Sequence, residues 1–215
     1  MPQNAWRLLQ FFRPHWVPPL WQWVVVLLGG TVLGALFDQI HVQCQILAYA
    51  HADFLAQAWW VGPQFGLAAL LMFLQSQGPA LFAVAQQPLE PTRGQLLQSW
   101  LWFLGAYGAS GLLSQWPMAL TAGYGLTWLW RTARQPERRV LWLHGAGLAL
   151  VGCTYEHLLA STGAFHYLHP GLGQVPWWLA GIYLHGAPVA LWTTRRLRPA
   201  GLVLLQPLSG QRTGR

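Results

Sequence analysis

Long apolar runs separated by short polar segments recur along the whole chain. A helix of about 20 apolar residues crosses the hydrocarbon core of a bilayer, so each run is a candidate span. The runs lie at 18–37, 58–74, 96–130, 140–160 and 176–194. The third is interrupted near 114–117, and Pro117 suits the first turn of a new helix. The pattern therefore predicts an all-α polytopic membrane protein, a bundle of six transmembrane helices.

Two of these runs have alternative interpretations. Arg7 and Arg13 precede the first run, as in a signal peptide, but Phe37 and Asp38 follow it where a cleavage site of small residues would stand. Run 96–130 is short for two crossings, so one tilted helix with a re-entrant segment is the alternative to spans three and four. We favour a retained first span and two separate helices.

The chain is expected to form one membrane domain over residues 18–198. No linker, low-complexity tract or repeat of 20–50 residues is evident between the runs, and the halves show no clear repeat symmetry of the transporter kind. Residues 1–17 mix arginine with leucine and phenylalanine, which suits an N-terminal interfacial segment or a frayed terminus. Residues 199–215 are expected to form a cytoplasmic tail.

Charge supports the membrane interpretation and orients it. Only 8% of residues are charged, against about 25% in soluble domains. The basic residues are all arginine, and they fall in alternate segments: before the first run, at Arg93, in 131–139 and after the last run. The positive-inside pattern places both termini in the cytoplasm, with the protein in the plasma membrane of a bacterium or the endoplasmic reticulum of a eukaryote. No basic face remains for nucleic acid.

Polar residues inside the runs are candidates for ligand binding, because ionisable groups at membrane depth are costly and usually functional. Glu156 lies in the fifth run and His185 near the middle of the sixth, and His185 could donate a hydrogen bond to Glu156 or to a lipid. Proline at Gly62-Pro63 and at Pro188 is expected to kink spans two and six. The candidate ligand-binding residues are Glu156, His185, Gln64, Phe65, Trp60, Tyr155 and Tyr167. Packing, or a place at the outer interface, is the alternative role for Glu156 and His185.

Histidines on the predicted outer side are weak candidates for a metal or haem site. They are His41, His51, His166 and His169. The only tight spacing, His166-x-x-His169, falls on a loop, so solvated side chains are the alternative. No cofactor is expected. No serine or cysteine nucleophile has an evident base beside it, so we assign no catalytic residue, and the two cysteines predict no disulfide framework.

Two stretches resemble the Insig (insulin-induced gene) protein family. The first is AWWVGP at 58–63, which is similar to an AWWVPP-like start of the family's second span, with Gly62 in place of a proline. The second is TGAFHYLHP at 162–170, followed by VPWW at 175–178, between the last two spans. Each motif is short, but their order and spacing match the family over roughly 18–198. The lysine-free, tryptophan-rich composition is more typical of a bacterial member.

The resemblance implies a regulatory bundle that binds a lipid and is not an enzyme. Animal members have six spans with cytosolic termini, bind oxysterols and bind membrane partners that carry sterol-sensing domains. The family's WWTFDRSR-like segment has an aspartate that serves partner binding, whereas 128–134 here reads WLWRTAR without an acid. We therefore expect a membrane lipid or sterol-like ligand and a membrane-protein partner, and a bacterial member would lack the animal partners. A structural or assembly subunit of a membrane complex is the alternative function.

Overall fold

The computed structural model describes residues 18–76 and 90–197, in which helices predominate as predicted. The elements are α1 (Leu20–Gln43), β1 (Leu47–Tyr49), α2 (Val61–Gln75), α3 (Arg93–Leu113), α4 (Pro117–Ala133), α5 (Arg138–Ser161), β2 (Phe165–Tyr167) and α6 (Leu179–Leu197). The apolar pattern did not predict β1 and β2, which pair as an antiparallel ribbon. The terminal segments at 1–17 and 199–215 lie outside the described residues.

The predicted break in the third run separates two helices. Helix α3 starts with a capping box, in which Thr92 and Gln95 each accept a hydrogen bond from the other's backbone N–H. It ends at Leu113, and α4 begins at Pro117 in the first turn. Pro63 also lies in the first turn of α2, where proline costs no helical hydrogen bond. The predicted kink at Pro63 is therefore wrong, whereas Pro188 lies inside α6.

The bundle has a ribbon end, which carries β1 and β2, and an arginine end. Contacts at the arginine end join the start of α1 to the end of α6, where Gln22 Nε2 donates to Leu197 O at 2.6 Å. Arg195 of α6 pairs there with Glu137, which precedes α5. The described arginines lie in or near the helix turns at this end: Arg93, Arg131, Arg134, Arg138, Arg139, Arg195 and Arg196. This is the one-sided distribution that the charge pattern predicted.

Helix α1 is built with its polar residues inside and its apolar residues outside. Its buried residues are Gln22, Gly34, Asp38 and His41. Leucine, valine and tryptophan side chains cover its exterior, with Leu28 57% exposed. Among the described residues α1, with a mean hydropathy of 1.8, is the helix that qualifies as a membrane span by length and hydropathy, and α2 is apolar but shorter. Soluble proteins bury the opposite set of residues.

Two apolar clusters hold the bundle together, and α6 contributes to both. The cluster at the ribbon end packs Trp178, Leu179 and Ile182 against β2 and against α3 and α4. The cluster at the arginine end joins Leu191 and Trp192 to the start of α5. Because α6 contributes buried residues to both clusters, it is the central helix of the structure.

The chain contains a two-fold internal repeat, which corrects the expectation that its halves show no clear repeat symmetry. The unit α1–β1–loop–α2 recurs as α5–β2–loop–α6. The first residues of α1 and α5, Leu20 and Arg138, are 118 residues apart, and so are the first residues of β1 and β2, Leu47 and Phe165. This offset of 118 residues is the step between the two repeats. Helices α1 and α5 have 24 residues each. The single bridges Phe54–Gln57 and Leu172–Val175, one in each loop, follow the same step.

The pairing of the two strands has the symmetry of this repeat. Leu47 pairs with Tyr167 and Tyr49 with Phe165, as a two-fold axis through the Ala48–His166 pair would produce. The flanking backbone bonds match as well, with Ala50 N–Ala164 O at 3.1 Å and Leu168 N–Ile46 O at 2.8 Å. The two repeats therefore meet at the ribbon, and α3 and α4 form a hairpin inserted between them in sequence.

Candidate ligand-binding site

Glu156 lies near the ribbon end of α5 and accepts two hydrogen bonds from tyrosines. The Tyr167 hydroxyl on β2 donates to Oε2, and the Tyr183 hydroxyl on α6 donates to Oε1 at 2.5 Å. Glu156 is nevertheless only partly buried. A carboxylate offers about four lone-pair sites, so acceptor capacity remains on the Glu156 side chain.

Asp38 is the counterpart of Glu156 in the first repeat, one step of 118 residues earlier. The Tyr49 hydroxyl donates to Asp38 Oδ2 at 2.7 Å, as Tyr167 donates to Glu156. Gln57 Nε2 donates to the same oxygen at 2.7 Å, and Asp38 is fully buried. The carboxylate of the first repeat thus accepts a hydrogen bond from a loop glutamine, whereas the carboxylate of the second repeat accepts from Tyr183 of α6 and its residue is partly exposed.

The charge of the two carboxylates reaches both ribbon tyrosines. Burial raises the pKa of the Tyr49 phenol above its usual range, and nearby Asp38 and then Glu156 raise it further. Burial, followed by the charge of Glu156, likewise raises the pKa of the Tyr167 phenol. Both phenols therefore keep their protons over the physiological range and act as hydrogen-bond donors.

Aromatic side chains surround this polar cluster. Trp60 meets Tyr49 edge-on at 5.5 Å between ring centroids, and Tyr107 of α3 stacks on Phe37 at 5.0 Å. Trp60, Tyr107 and Tyr183 are all partly exposed although they pack against the core at the ribbon end. The arrangement combines apolar ring faces with a few convergent polar atoms, as small-molecule sites do.

Gly152 of α5 provides the space that Tyr183 occupies. A Cβ atom at Gly152 would collide with the Tyr183 ring, so any larger side chain there would displace the hydroxyl that Glu156 accepts. The same relation holds one step earlier, where Gly34 makes room for the Phe65 ring. Glycine in helices that touch permits this close approach.

The structure unites some of the predicted residues and separates others. Glu156 and Tyr167 are in direct contact, and Trp60 joins them through Tyr49. Phe65 packs on Gly34, and Gln64 is half-buried in α2. Tyr155 is 45% exposed on another face of α5.

His185 belongs to a different part of the molecule from Glu156. Its Nδ1 lies 2.7 Å from Arg131 Nη1, and its Nε2 lies 3.2 Å from Thr127 Oγ1. The ring is fully buried and stacks on Trp102 at 5.9 Å. The predicted hydrogen bond between His185 and Glu156 is therefore wrong.

The remaining members of the cluster were not among the residues predicted from the sequence; they are Asp38, Tyr49, Gln57, Tyr107 and Tyr183. The first span was predicted to end at Phe37, which placed Asp38 in a loop, whereas α1 continues to Gln43 and buries it. The equal spacing of Asp38–Tyr49 and Glu156–Tyr167 was the available signal, because both pairs are eleven residues apart.

The outer histidines do not assemble a metal site. His41 is buried inside α1, with Nε2 at 2.8 Å from Ser110 Oγ, and is not on a loop as predicted. His51, His166 and His169 are exposed. Within residues 18–76 and 90–197, no three histidine, cysteine, aspartate or glutamate side chains come together as metal ligands do.

Comparison with known proteins gives matches in structure but none in sequence. No protein-family model and no curated protein sequence matches the chain. A crystal structure of a mycobacterial Insig homologue, MvINS from Mycobacterium vanbaalenii, superposes with a TM-score of 0.64 at 21% identity, covering 84% of this chain and 95% of that one. The chain has an Insig-like fold. A second crystal structure, of a cross-linked trimer of an arginine-to-cysteine variant of MvINS, gives a TM-score of 0.62 at 21% identity, covering 85% and 96%.

The match supports the family resemblance drawn from the sequence, and its coverage includes nearly all of the MvINS chain. The two motifs that carried the resemblance occupy corresponding places in the Insig-like fold. AWWVGP at 58–63 leads into α2, and 162–178 contains β2 and leads into α6. They lie at corresponding places in the two repeats, and each contains a tryptophan pair directly before its helix, Trp59-Trp60 before α2 and Trp177-Trp178 before α6.

Proposed function

We propose that this chain is a six-span bacterial membrane protein that binds an uncharged lipid or sterol-type ligand through Glu156. The observation that carries the proposal is the Glu156 carboxylate itself, which two tyrosine hydroxyls hold in place while it stays partly exposed among aromatic rings. Polar groups inside a bundle usually mark function.

The surface of the bundle supports the membrane placement. Leucines cover the outer faces of several helices, with Leu112 of α3 76% exposed, Leu126 of α4 68% and Leu150 of α5 71%. An apolar surface of this extent is unfavourable in water and suits hydrocarbon. With the arginine end at the cytoplasmic face, both termini lie in the cytoplasm and the ribbon faces outward from the plasma membrane.

The chemistry of the site favours a ligand that donates a hydrogen bond. The carboxylate of Glu156 accepts hydrogen bonds when ionised, and its two tyrosine donors are already engaged with it. A ligand hydroxyl could donate to a remaining lone pair while its apolar body lies against Trp60, Tyr107 and Tyr183. The ligand class is therefore an amphiphile with one hydroxyl and a large apolar body.

A membrane-protein partner is the second part of the proposal. The Insig resemblance implies a regulatory partner, and the exposed apolar faces of α3 and α4 offer a surface for one. One of the two similar crystal structures is a cross-linked trimer of MvINS. Association with copies of itself is therefore the simplest form of partnership to examine, by measuring the mass of the purified complex.

Binding of a hydroxysterol and of the matching ketone to the purified protein in mild detergent tests the ligand proposal. We expect the hydroxysterol to bind more tightly, and Glu156→Gln to weaken it by about 10- to 100-fold, the equivalent of a charged hydrogen bond of about 1.5–3 kcal/mol. The matched control is Tyr155→Phe, which changes the neighbouring exposed residue. Equal affinity of wild type and Glu156→Gln would overturn the proposal.

A further inference from the structure

Each repeat carries a tight turn at the ribbon end that exposes apolar side chains. The first turn runs from Phe54 to Gln57, which form a β-bridge, and Phe54 is 73% and Leu55 60% exposed. The second turn runs from Leu172 to Val175, one step of 118 residues later, with Leu172 56% exposed. Turns are usually built from glycine, proline, asparagine, aspartate and serine, so exposed phenylalanine and leucine at these two turns need a physical reason.

The first turn holds two apolar residues in a strained backbone conformation. Leu55 and Ala56 have φ angles of 50° and 62°, in the left-handed region that glycine and asparagine adopt most easily. Hairpin turns with two such residues prefer Asn-Gly. The second turn has Gly173, with φ 61°, in the place of Leu55, so the backbone of the turn does not require a leucine there. Strained positions tend to persist where function requires the residue.

Both turns are hydrogen-bonded to the first helix of their own repeat. Gln39 Nε2 of α1 donates to Leu55 O at 3.0 Å, and the Gln174 N–H donates to His157 Nδ1 of α5 at 3.1 Å. Gln39 and His157 are again one step of 118 residues apart. A Cβ atom at Gly173 would lie 2.6 Å from His157 Cε1, so the second turn lies directly on α5. Each turn is therefore held at a defined height on its helix.

Gln39 and His157 lie at the ends of the apolar outer faces of their helices. On α1, exposed apolar residues recur at positions 25, 28, 32 and 36, and Gln39 is the next residue on the same face of the helix. On α5, Leu143 and Leu150 are exposed, and His157 follows at the same spacing of seven residues. Each turn therefore extends an apolar outer face at the point where its helix becomes polar.

The height of the two turns matches the edge of the hydrocarbon core. Gln39 lies 19 residues after Leu20, the first residue of α1, and His157 lies 19 residues after Arg138, the first residue of α5. A helical rise of about 1.5 Å per residue places both about 28 Å from the arginine end of their helices. The hydrocarbon core is ~30 Å thick, so both turns lie at the boundary between its outer edge and the headgroups.

We propose that the two turns insert into the outer leaflet of the membrane, with Phe54, Leu55 and Leu172 in contact with lipid, and so fix the depth of the ribbon. Trp59 and Trp177 are exposed directly after the two turns, and tryptophan prefers this boundary. The outer leaflet surrounds the bundle, so it can contact both turns although they lie on different helices. The inference rests on the proposed membrane placement and extends it from the helices to the loops.

The proposal is tested by fluorophores on single cysteines in the full chain, in a Cys44→Ser, Cys153→Ser background. The protein is reconstituted in phosphatidylcholine vesicles containing a nitroxide-labelled phosphatidylcholine, with the nitroxide near either the top or the end of the acyl chain. Labels at Leu55→Cys and Leu172→Cys should be quenched at least twofold more by the upper nitroxide than by the lower nitroxide or by aqueous iodide. The control label at His51→Cys, an exposed polar position before the first turn, should be quenched mainly by iodide.

A label at Leu28→Cys, midway along the outer face of α1, separates this proposal from the membrane placement. The lower nitroxide should quench it, whereas quenching by iodide would overturn the membrane placement and the insertion of the turns together. If Leu28→Cys is quenched by the lower nitroxide but Leu55→Cys and Leu172→Cys mainly by iodide, only the insertion of the turns is wrong. Protection of both turn labels from nitroxide and iodide alike would also overturn the insertion, in favour of a contact with protein such as a second copy of the chain.

Discussion

The two hydrogen bonds of Glu156 lead to a quantitative prediction about stability. Glu156→Gln keeps one acceptor oxygen but replaces the other with an amide donor, so one of Tyr167 and Tyr183 loses its acceptor. A hydrogen bond to a charged group contributes about 1.5–3 kcal/mol, and an unsatisfied buried donor costs about 1–3 kcal/mol. We expect Glu156→Gln to lower the free energy of unfolding by about 2 kcal/mol, from the lower part of both ranges because the site is only partly buried.

Tyr183→Phe removes one of the same two bonds, so the two changes should not be additive. In the double variant the glutamine oxygen faces Tyr167, and no hydroxyl remains at position 183 to lose its partner. The cost of the double variant should then be close to that of either single variant. The coupling energy should be about 1 kcal/mol or more, within the range found for residues in direct contact.

Unfolding in mixed micelles with increasing dodecyl sulfate measures these free energies, with the full chain and each variant at the same lipid content. The control cycle pairs Glu156→Gln with Tyr155→Phe, whose side chain is 45% exposed and whose effect should add within about 0.5 kcal/mol. Additive costs for Glu156→Gln and Tyr183→Phe would refute the reasoning, because they would mean that the two side chains act independently.

Three further predictions follow from the packing. Gly152→Ala should destabilise the protein by about 1–3 kcal/mol because the new methyl group meets the Tyr183 ring. Gly29→Ala should be neutral or stabilising by up to about 1 kcal/mol, because a Cβ atom at Gly29 would meet nothing within 4 Å. The same unfolding titration in mixed micelles measures both free energies. Glu137→Ala should cost about 3–5 kcal/mol, since it leaves Arg195 buried at 5% exposure without its carboxylate, and wild-type-like thermal stability would contradict this. In a Cys44→Ser background, Ala48→Cys with His166→Cys should form a disulfide on oxidation, because directly opposed residues of antiparallel strands have Cα atoms about 4.5–5.5 Å apart. The control pair, Ala48→Cys with His169→Cys, should form none, because position 169 lies about 10 Å farther along the strand direction. Gel mobility without a reducing agent separates the two results.

The positions of the helices were largely predictable because each apolar run forms one helix, except the third run, which forms two. The break before Pro117 and the separation of α3 from α4 followed from four residues, 114–117. The ribbon was not predictable, since strands of three residues are too short to show alternation. The end of α1 was misplaced by six residues because Asp38 and His41 are polar, and polar residues were taken to end a span.

The misplaced end of α1 has a physical cause, which also explains why Asp38 was not predicted as a member of the candidate site. A helix in hydrocarbon turns its apolar side chains outward, so its buried face is the polar and small-residue face. Asp38 and His41 mark that face in α1, and Gly152 and Glu156 mark it in α5. A search for polar residues at helical spacing, in place of apolar ones, would have extended α1 and found Asp38.

The repeat was not evident from the sequence because most equivalent positions of its two copies carry different residues. Gly34 and Gly152 recur, as do the tryptophan pairs that precede α2 and α6, but most other positions differ. Tyr183 stands where the first repeat has Phe65. The pairing of β1 with β2, and the matching bonds around it, make the two-fold relation visible in the structure.

The differences between the repeats support placing the ligand at Glu156 and not at Asp38. Gln57 closes Asp38 from the loop, and the corresponding residue of the second repeat, Val175, cannot do so because it has no polar side-chain atom. Glu156 is held instead by Tyr183 from α6, and it remains partly exposed. The two carboxylates therefore differ in their donors, since Asp38 accepts from its own loop and Glu156 accepts from a helix residue. The greater exposure of Glu156 is the reason for proposing that it, and not Asp38, accepts a hydrogen bond from a ligand hydroxyl.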